Sequence, residues 1–167
     1  MRLPVSNVRR ARQAENQPKV ISARQNSLKT TISRGLTKKN ICPSLPPFLE
    51  RAARLGDYRY PLELRDRSWI NDRALDLLSA HDVAFCIYEL AGYLSPREVT
   101  ANFVYIRLHG PGGPYQGRYD DRTLTAWAEA IAAWSRQGRE VFCSFDNDGA
   151  GYAPRNALQL QDMLRKG

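Results

Sequence analysis

The sequence predicts an α/β protein, because short strand-like runs alternate with longer helix-like ones and the apolar period switches between two and about 3.6 residues. Two further observations support this. All 16 aromatic residues lie at Phe48 or beyond, which confines core-building material to the body of the 167-residue chain. Glycines also stand where helices must stop, at Gly56 and Gly138.

Taken in order, a helix of about Phe48 to Leu55 ends at Gly56, and a first strand spans Tyr58 to Leu64. A helix of about Asn71 to Ala80 buries Ala74, Leu75, Leu77 and Leu78, and Val83 to Tyr88 forms the second strand. Gly92 and Pro96 break the segment Ala91 to Ala101, so that unit is short or irregular. The third strand is Phe103 to Leu108. After it, Leu124, Trp127, Ile131 and Trp134 step by 3, 4 and 3 along a helix of Asp121 to Gln137, with Asp120 as N-cap. Glu140 to Phe145 is the fourth strand. A last helix, Ala153 to Leu164, carries Pro154 in its first turn and turns Ala157, Leu160 and Leu164 inward. Strands separated by helices in this way form a parallel sheet.

The net charge of +8 is unevenly placed. Residues 1–40 hold 10 of the 25 Lys and Arg and only Glu15 of the 17 acids, which leaves the body at 15 against 16. With no aromatic residue, residues 1–40 cannot build a core and are predicted to be a disordered basic tail, with 41–167 as the folded domain. Arg9, Arg10, Arg12, Lys19, Arg24, Lys29, Arg34, Lys38 and Lys39 could serve as an arm for nucleic-acid phosphates, although no aromatic is interleaved to stack bases. A transit peptide has similar composition; the plain alternative is a solvated extension. No apolar run reaches 18 residues, which excludes a spanning helix, and no membrane partner is expected. Cys42, Cys86 and Cys143 form no CxxC pair and are too few for a disulfide framework, so a cytoplasmic location is expected.

Function in parallel α/β proteins gathers at strand carboxyl ends, and four clusters fall there. Glu63 and Arg65, two apart, share a strand face as an ion pair or a substrate clamp. Tyr105, Arg107 and His109 alternate with Val104, Ile106 and Leu108; if the aliphatic set faces the helices, a buried Arg107 needs a carboxylate, from Glu63 or Asp148. The glycine-rich loop from His109 to Tyr119 lacks the Lys-Ser/Thr ending of a P-loop, and is either a turn or a lid carrying Tyr115, Arg118 and Tyr119. Asp146-Asn147-Asp148-Gly149 lacks the later Glu of a calcium loop, so it is a capped turn or a means of aiming Asn147 into the cleft. A single His with scattered acids makes no metal site, and no cofactor is expected.

In this order the clusters resemble the YecE-like family of unknown function, the DUF family numbered 72. The matching stretches are Glu63-Leu64-Arg65 with Ser68-Trp69, Thr100 to Pro111, Tyr115 to Tyr119, and Phe145 to Asp148 with Gly151-Tyr152-Ala153 and Asn156-Ala157. The family usually shows Glu-Phe-Arg-His where Leu64 and Asp66 stand. The resemblance covers about Leu45 to Leu164 and implies the carboxyl-terminal half, about four βα units, of a TIM-like (β/α) barrel. It implies a small-molecule enzyme acting on an anionic or sugar-like substrate. Glu63, His109 and Asp148 would be catalytic, and Arg65, Arg107, Tyr115, Tyr119, Asn147 and Asn156 substrate-binding. Half a barrel would leave open edges at the first and fourth strands and an apolar inner face in water, so self-association or a covering partner is expected. The alternatives are nucleic-acid binding through the tail and cleft, or an inactive remnant.

Overall fold

A computed structural model of the chain describes residues 19–22, 31–32, 41–54 and 58–167. Its elements are β1 (Lys19–Ser22), β2 (Thr31–Ile32), α1 (Ile41–Ala53), β3 (Pro61–Glu63), α2 (Asp72–Ala80), β4 (Ala84–Leu90), β5 (Tyr93–Leu94), β6 (Phe103–Leu108), α3 (Asp121–Arg136), β7 (Glu140–Phe145) and α4 (Tyr152–Lys166). Single 3-10 turns occupy Arg67–Trp69 and Gly149–Gly151. The sheet order is β1-β7-β6-β4-β3-β2, every neighbouring pair is parallel, and β5 pairs antiparallel with β4.

The helix starts follow from local chemistry. Asn71 Oδ1 accepts from the Ala74 N–H at 3.1 Å, and Asp120 Oδ1 from the Thr123 N–H at 2.8 Å. Side-chain alternation then divides the sheet. Phe85, Ile87, Val104, Ile106, Val141, Cys143 and Phe145 face the helices and pack with Leu78, Leu124, Trp127, Ile131 and Leu160. The opposite, inner face carries Ala84, Cys86, Phe103, Tyr105 and Phe142. No helix joins β4 to β6. In its place the Thr100 hydroxyl accepts from the Phe85 N–H at 2.7 Å and Ser95 Oγ accepts from the Tyr88 N–H at 2.9 Å, giving two backbone donors of β4 side-chain partners.

Four expectations are corrected. Lys19–Ser22 and Thr31–Ile32 are strands, not parts of a disordered tail; Val20, Ile21, Thr31 and Ile32 are β-branched residues suited to extending an existing sheet. The rest of that expected tail lies outside the described residues, as does Gly56. Because β2 pairs with β3 and β1 with β7, the first and fourth predicted strands are not open edges. The inner face is not left in water either, since Phe103, Tyr105 and Phe142 are buried. Arg59 lies over Phe103 and Phe142, at 5.2 and 4.9 Å, and pairs with Glu140 at 2.6 Å, bridging from beside β3 to the start of β7. Lastly, α1 begins at Ile41 and runs through Pro46 and Pro47. Each proline forfeits an N–H bond; the burial of Leu45, Leu49 and Ala52 on one face offsets that loss.

Candidate functional site

Parallel strands end together, and these ends bring charged residues onto one face. Glu63 closes β3, Arg107 lies near the end of β6, and His109 and Asp146 stand just beyond β6 and β7. The register aligns Tyr88 with Arg107 and Arg107 with Ser144, so the rule of alternation carries His109 and Asp146 to the same inner side.

The result is a closed circuit of charge. Glu63 Oε2 meets Arg107 Nη1 at 3.0 Å and His109 Nε2 at 3.2 Å. Asp146 Oδ2 accepts from Arg107 Nε at 2.9 Å and Nη2 at 2.5 Å, and lies 3.2 Å from His109 Nδ1, which has no hydrogen bond of suitable direction. Arg65 donates to Glu63 Oε1, and its Nη2 is 3.2 Å from His109 Nε2. Below this layer the Cys86 thiol sits 3.7 Å from Glu63 Oε2. The Tyr115 ring stands edge-on to the imidazole, with centroids 5.5 Å apart.

Glu63 and His109 are fully buried, whereas Arg65, Arg107 and Asp146 retain some exposure. Burial pushes the Glu63 carboxyl up, but the His109 hydrogen bond and the charges of His109, Arg107 and Arg65 outweigh it and hold the pKa down at about 2. Burial works against the Arg107 cation; Asp146 and Glu63 more than compensate and raise its pKa. The Cys86 thiol is pushed well up, first by burial and then by the Glu63 charge, and stays protonated.

The structure therefore brings together Glu63, Arg65, Arg107 and His109, with Tyr115 above them. Asp148 is placed elsewhere: it is exposed, heads the turn Gly149–Gly151, and makes no side-chain cap bond. The carboxylate that meets Arg107 is Asp146, because Phe142, Ser144 and Asp146 continue the inward parity of β7. That parity was the available signal for Asp146, and the same rule on β4 points to Cys86 and Tyr88. Tyr119, Asn147 and Asn156 form a buried network of their own. Asn156 accepts from the Tyr119 N–H at 3.2 Å and the Asn147 amide at 3.0 Å and donates to the Tyr119 carbonyl at 3.0 Å; Asn147 also donates to Gly117 O at 2.8 Å. The Tyr119 hydroxyl accepts from the Gly110 N–H at 2.9 Å. This network anchors both ends of the glycine-rich loop. Gly110 has φ of +120°, and a Cβ there would fall 2.2 Å from Gln116 O, so only glycine fits.

Among the described residues, no group of three or more His, Cys, Asp or Glu is arranged to hold a metal ion. No helix among them is long and apolar enough to cross a membrane.

These features define a parallel α/β protein with a polar cluster at its strand carboxyl ends. A family model described as "Protein of unknown function DUF72" matches residues 32–167, and the chain belongs to that family. The match begins before the boundary expected at residue 41. The chain is similar to the crystal structure of a DUF72 family protein from Thermotoga maritima MSB8, with 26% identity and a TM-score of 0.67 over 83% of this chain and 58% of that one. A DUF72 family protein from Enterococcus faecalis V583 has the same fold at 21% identity and a TM-score of 0.68, again over 83% and 58% of the two chains. The chain thus spans 58% of the length of each of these two structures, and its sheet and helices correspond to part of their fold. No curated protein matches it.

Proposed function

We propose that the strand-end cluster is a small-molecule site in which His109 moves a proton and Glu63 acts as a permanent anion that orients it. The observation that carries this is the buried imidazole set between two carboxylate oxygens, Glu63 Oε2 and Asp146 Oδ2, each 3.2 Å from a different ring nitrogen. A proton on Nε2 faces Glu63. A proton on Nδ1 frees Nε2 to accept from Arg65. Nε2 has a partner in either role, and the Asp146 carboxylate lies beside Nδ1 without a hydrogen bond of suitable direction, an arrangement that suits an imidazole that hands a proton on.

A carboxyl held at about 2 is a weak base and is never protonated near neutrality, so Glu63 is a positioning group and a counter-ion for Arg65 and Arg107. Arg65, Arg107 and Asp146 are the members a substrate meets first. Tyr115, 43% exposed and held at φ of +64°, must swing aside before it reaches His109. The substrate class that fits is a polar molecule rich in hydroxyls, with or without an anionic group.

The test is NMR on the full chain, following the His109 ring and the Arg65 and Arg107 side chains against a panel of polyols, hydroxy acids and sugar phosphates. Saturable shifts at these three residues, lost in Arg107→Met, are expected. A folded chain in which no member of the panel moves them would overturn the reading and leave a structural ion-pair network.

A further inference from the structure

The arginines at this end of the sheet differ in how far their charge is spent. Arg65 and Arg107 are each bound to a carboxylate. Arg67, exposed on the turn after β3, has no carboxylate within ion-pair distance among the described residues; its guanidinium carbon lies 3.9 Å from the centroid of the Tyr93 ring. Stacking uses the face of the guanidinium and leaves its N–H edge available, which is the geometry that binds an oxyanion with two parallel hydrogen bonds.

Tyr93 begins the two-residue strand β5 and is positioned by its hairpin with β4. The turn between β4 and β5 has positive φ at both central residues, +50° at Ala91 and +78° at Gly92, as a two-residue hairpin of this hand requires. Alanine is disfavoured in that region, so the turn carries local strain. The hairpin is only two pairs long, Glu89 with Leu94 and Leu90 with Tyr93, and its Leu94 is exposed. The Ala91 N–H is bonded to Gly110 O at 3.0 Å, tying the turn to the glycine-rich loop. From Tyr93 an aromatic wall runs inward: Tyr93 to Tyr88 at 5.7 Å between centroids, then Tyr88 to His109 at 6.4 Å, with Arg65 over Tyr88 at 5.6 Å.

We propose that Arg67 and Tyr93 form an outer subsite for the oxyanion end, carboxylate or phosphate, of a ligand whose hydroxylated body lies along Tyr88 toward His109. This rests on the reading of the Glu63–His109 cluster as a small-molecule site and adds where the anionic group sits. Arg65 and Arg107, already paired, orient the body of the ligand; Arg67 supplies the unspent charge.

The probes are phenyl phosphate, benzoate and benzyl alcohol, titrated into the full chain at constant ionic strength while the Arg67 Nε–Hε signal, the Tyr93 ring and the His109 ring are followed by NMR. Arg67→Gln assigns the Nε–Hε signal by deleting it. Phenyl phosphate or benzoate should move Arg67 and Tyr93 together and saturably, and benzyl alcohol should leave Arg67 unmoved. Affinity for the anionic probe should fall about tenfold in Arg67→Gln and in Tyr93→Leu. Arg67→Lys keeps the charge without the planar fork and should recover only part of it. Anionic probes that shift His109 but not Arg67, or that bind Arg67→Gln undiminished, overturn the subsite and leave the inner site standing. Probes that shift neither residue overturn the subsite, and the inner site then stands or falls on the panel of polyols, hydroxy acids and sugar phosphates.

Discussion

Acid should dismantle the site through one residue, Glu63. Its carboxyl is fully buried and its pKa is held at about 2 against an ordinary 4.5; burial raises it, and His109, Arg107 and Arg65 together lower it by more. A depression of that size makes the ionised carboxylate worth roughly 3 kcal/mol to the folded state. Because the folded value lies below the unfolded one, this stability is fully present above about pH 4.5 and is lost as the pH falls toward 2. Roughly 2 kcal/mol of it is gone by about pH 3.

Glu63→Gln keeps the shape and removes the charge, leaving Arg65 and Arg107 short of an anion. Breaking a buried pair this way costs about 3 to 5 kcal/mol at neutral pH. Urea denaturation of both chains from neutral pH to about pH 3 isolates the cluster around Glu63, since carboxylates outside it contribute equally to both. The stability gap should start near 3 kcal/mol and shrink to about 1 kcal/mol at the acid end. A gap that does not change with pH, or none at neutral pH, would refute this account of what holds Glu63.

Two further predictions follow from where the acids and amides lie. Asp146→Asn should weaken the hold on Arg107 and destabilise the chain by about 2 kcal/mol, while Asp148→Asn, exposed and making no cap bond, should change the urea midpoint by nothing measurable. Asn156→Ala strands the Tyr119 N–H and carbonyl and takes one of the two partners of the Asn147 amide, so about 3 kcal/mol should be lost, with faster amide exchange from Gly117 to Tyr119.

Much of the fold is legible where a periodicity is long enough to speak for itself. The helix expected over Asp121 to Gln137 ends one residue early, at Arg136, and its Asp120 cap is in place, because Leu124, Trp127 and Ile131 are buried on one side and the cap is chemically specific. The strands β6 and β7 are read to the residue. Strands of two and four residues near the amino terminus were hidden by composition, since charge summed over residues 1–40 says nothing of Thr31–Ile32 or Lys19–Ser22. At the site, Glu63, Arg65, Arg107 and His109 could be found from strand ends and parity alone. Choosing Asp148 over Asp146 came from reading an Asx-rich turn by type, when the inward parity of Phe142 and Ser144 selects the nearer acid. Tyr119 and Asn156 look like cleft residues in sequence because polar tips are rare in cores; in the fold those tips satisfy backbone groups of the loop.

The charge balance of the cluster bears on what it can recognise. Glu63 and Asp146 offset Arg65 and Arg107, so apart from the imidazole the inner site carries no net charge, and a bare ion gains little there against the cost of leaving water. What the site offers is direction: guanidinium edges, carboxylate lone pairs and two imidazole nitrogens set close together above a buried layer of Cys86, Tyr105 and Phe142. Low polarity beneath strengthens each of those bonds and penalises any left unmade. A hydroxyl both donates and accepts, and so can join such a circuit without unbalancing it. A carboxylate or phosphate would have to displace Glu63 or Asp146 from a guanidinium. On the proposed reading, the same arithmetic that favours hydroxyls within the circuit would put an anionic group outside it, beside a cation such as Arg67 that has no carboxylate of its own among the described residues.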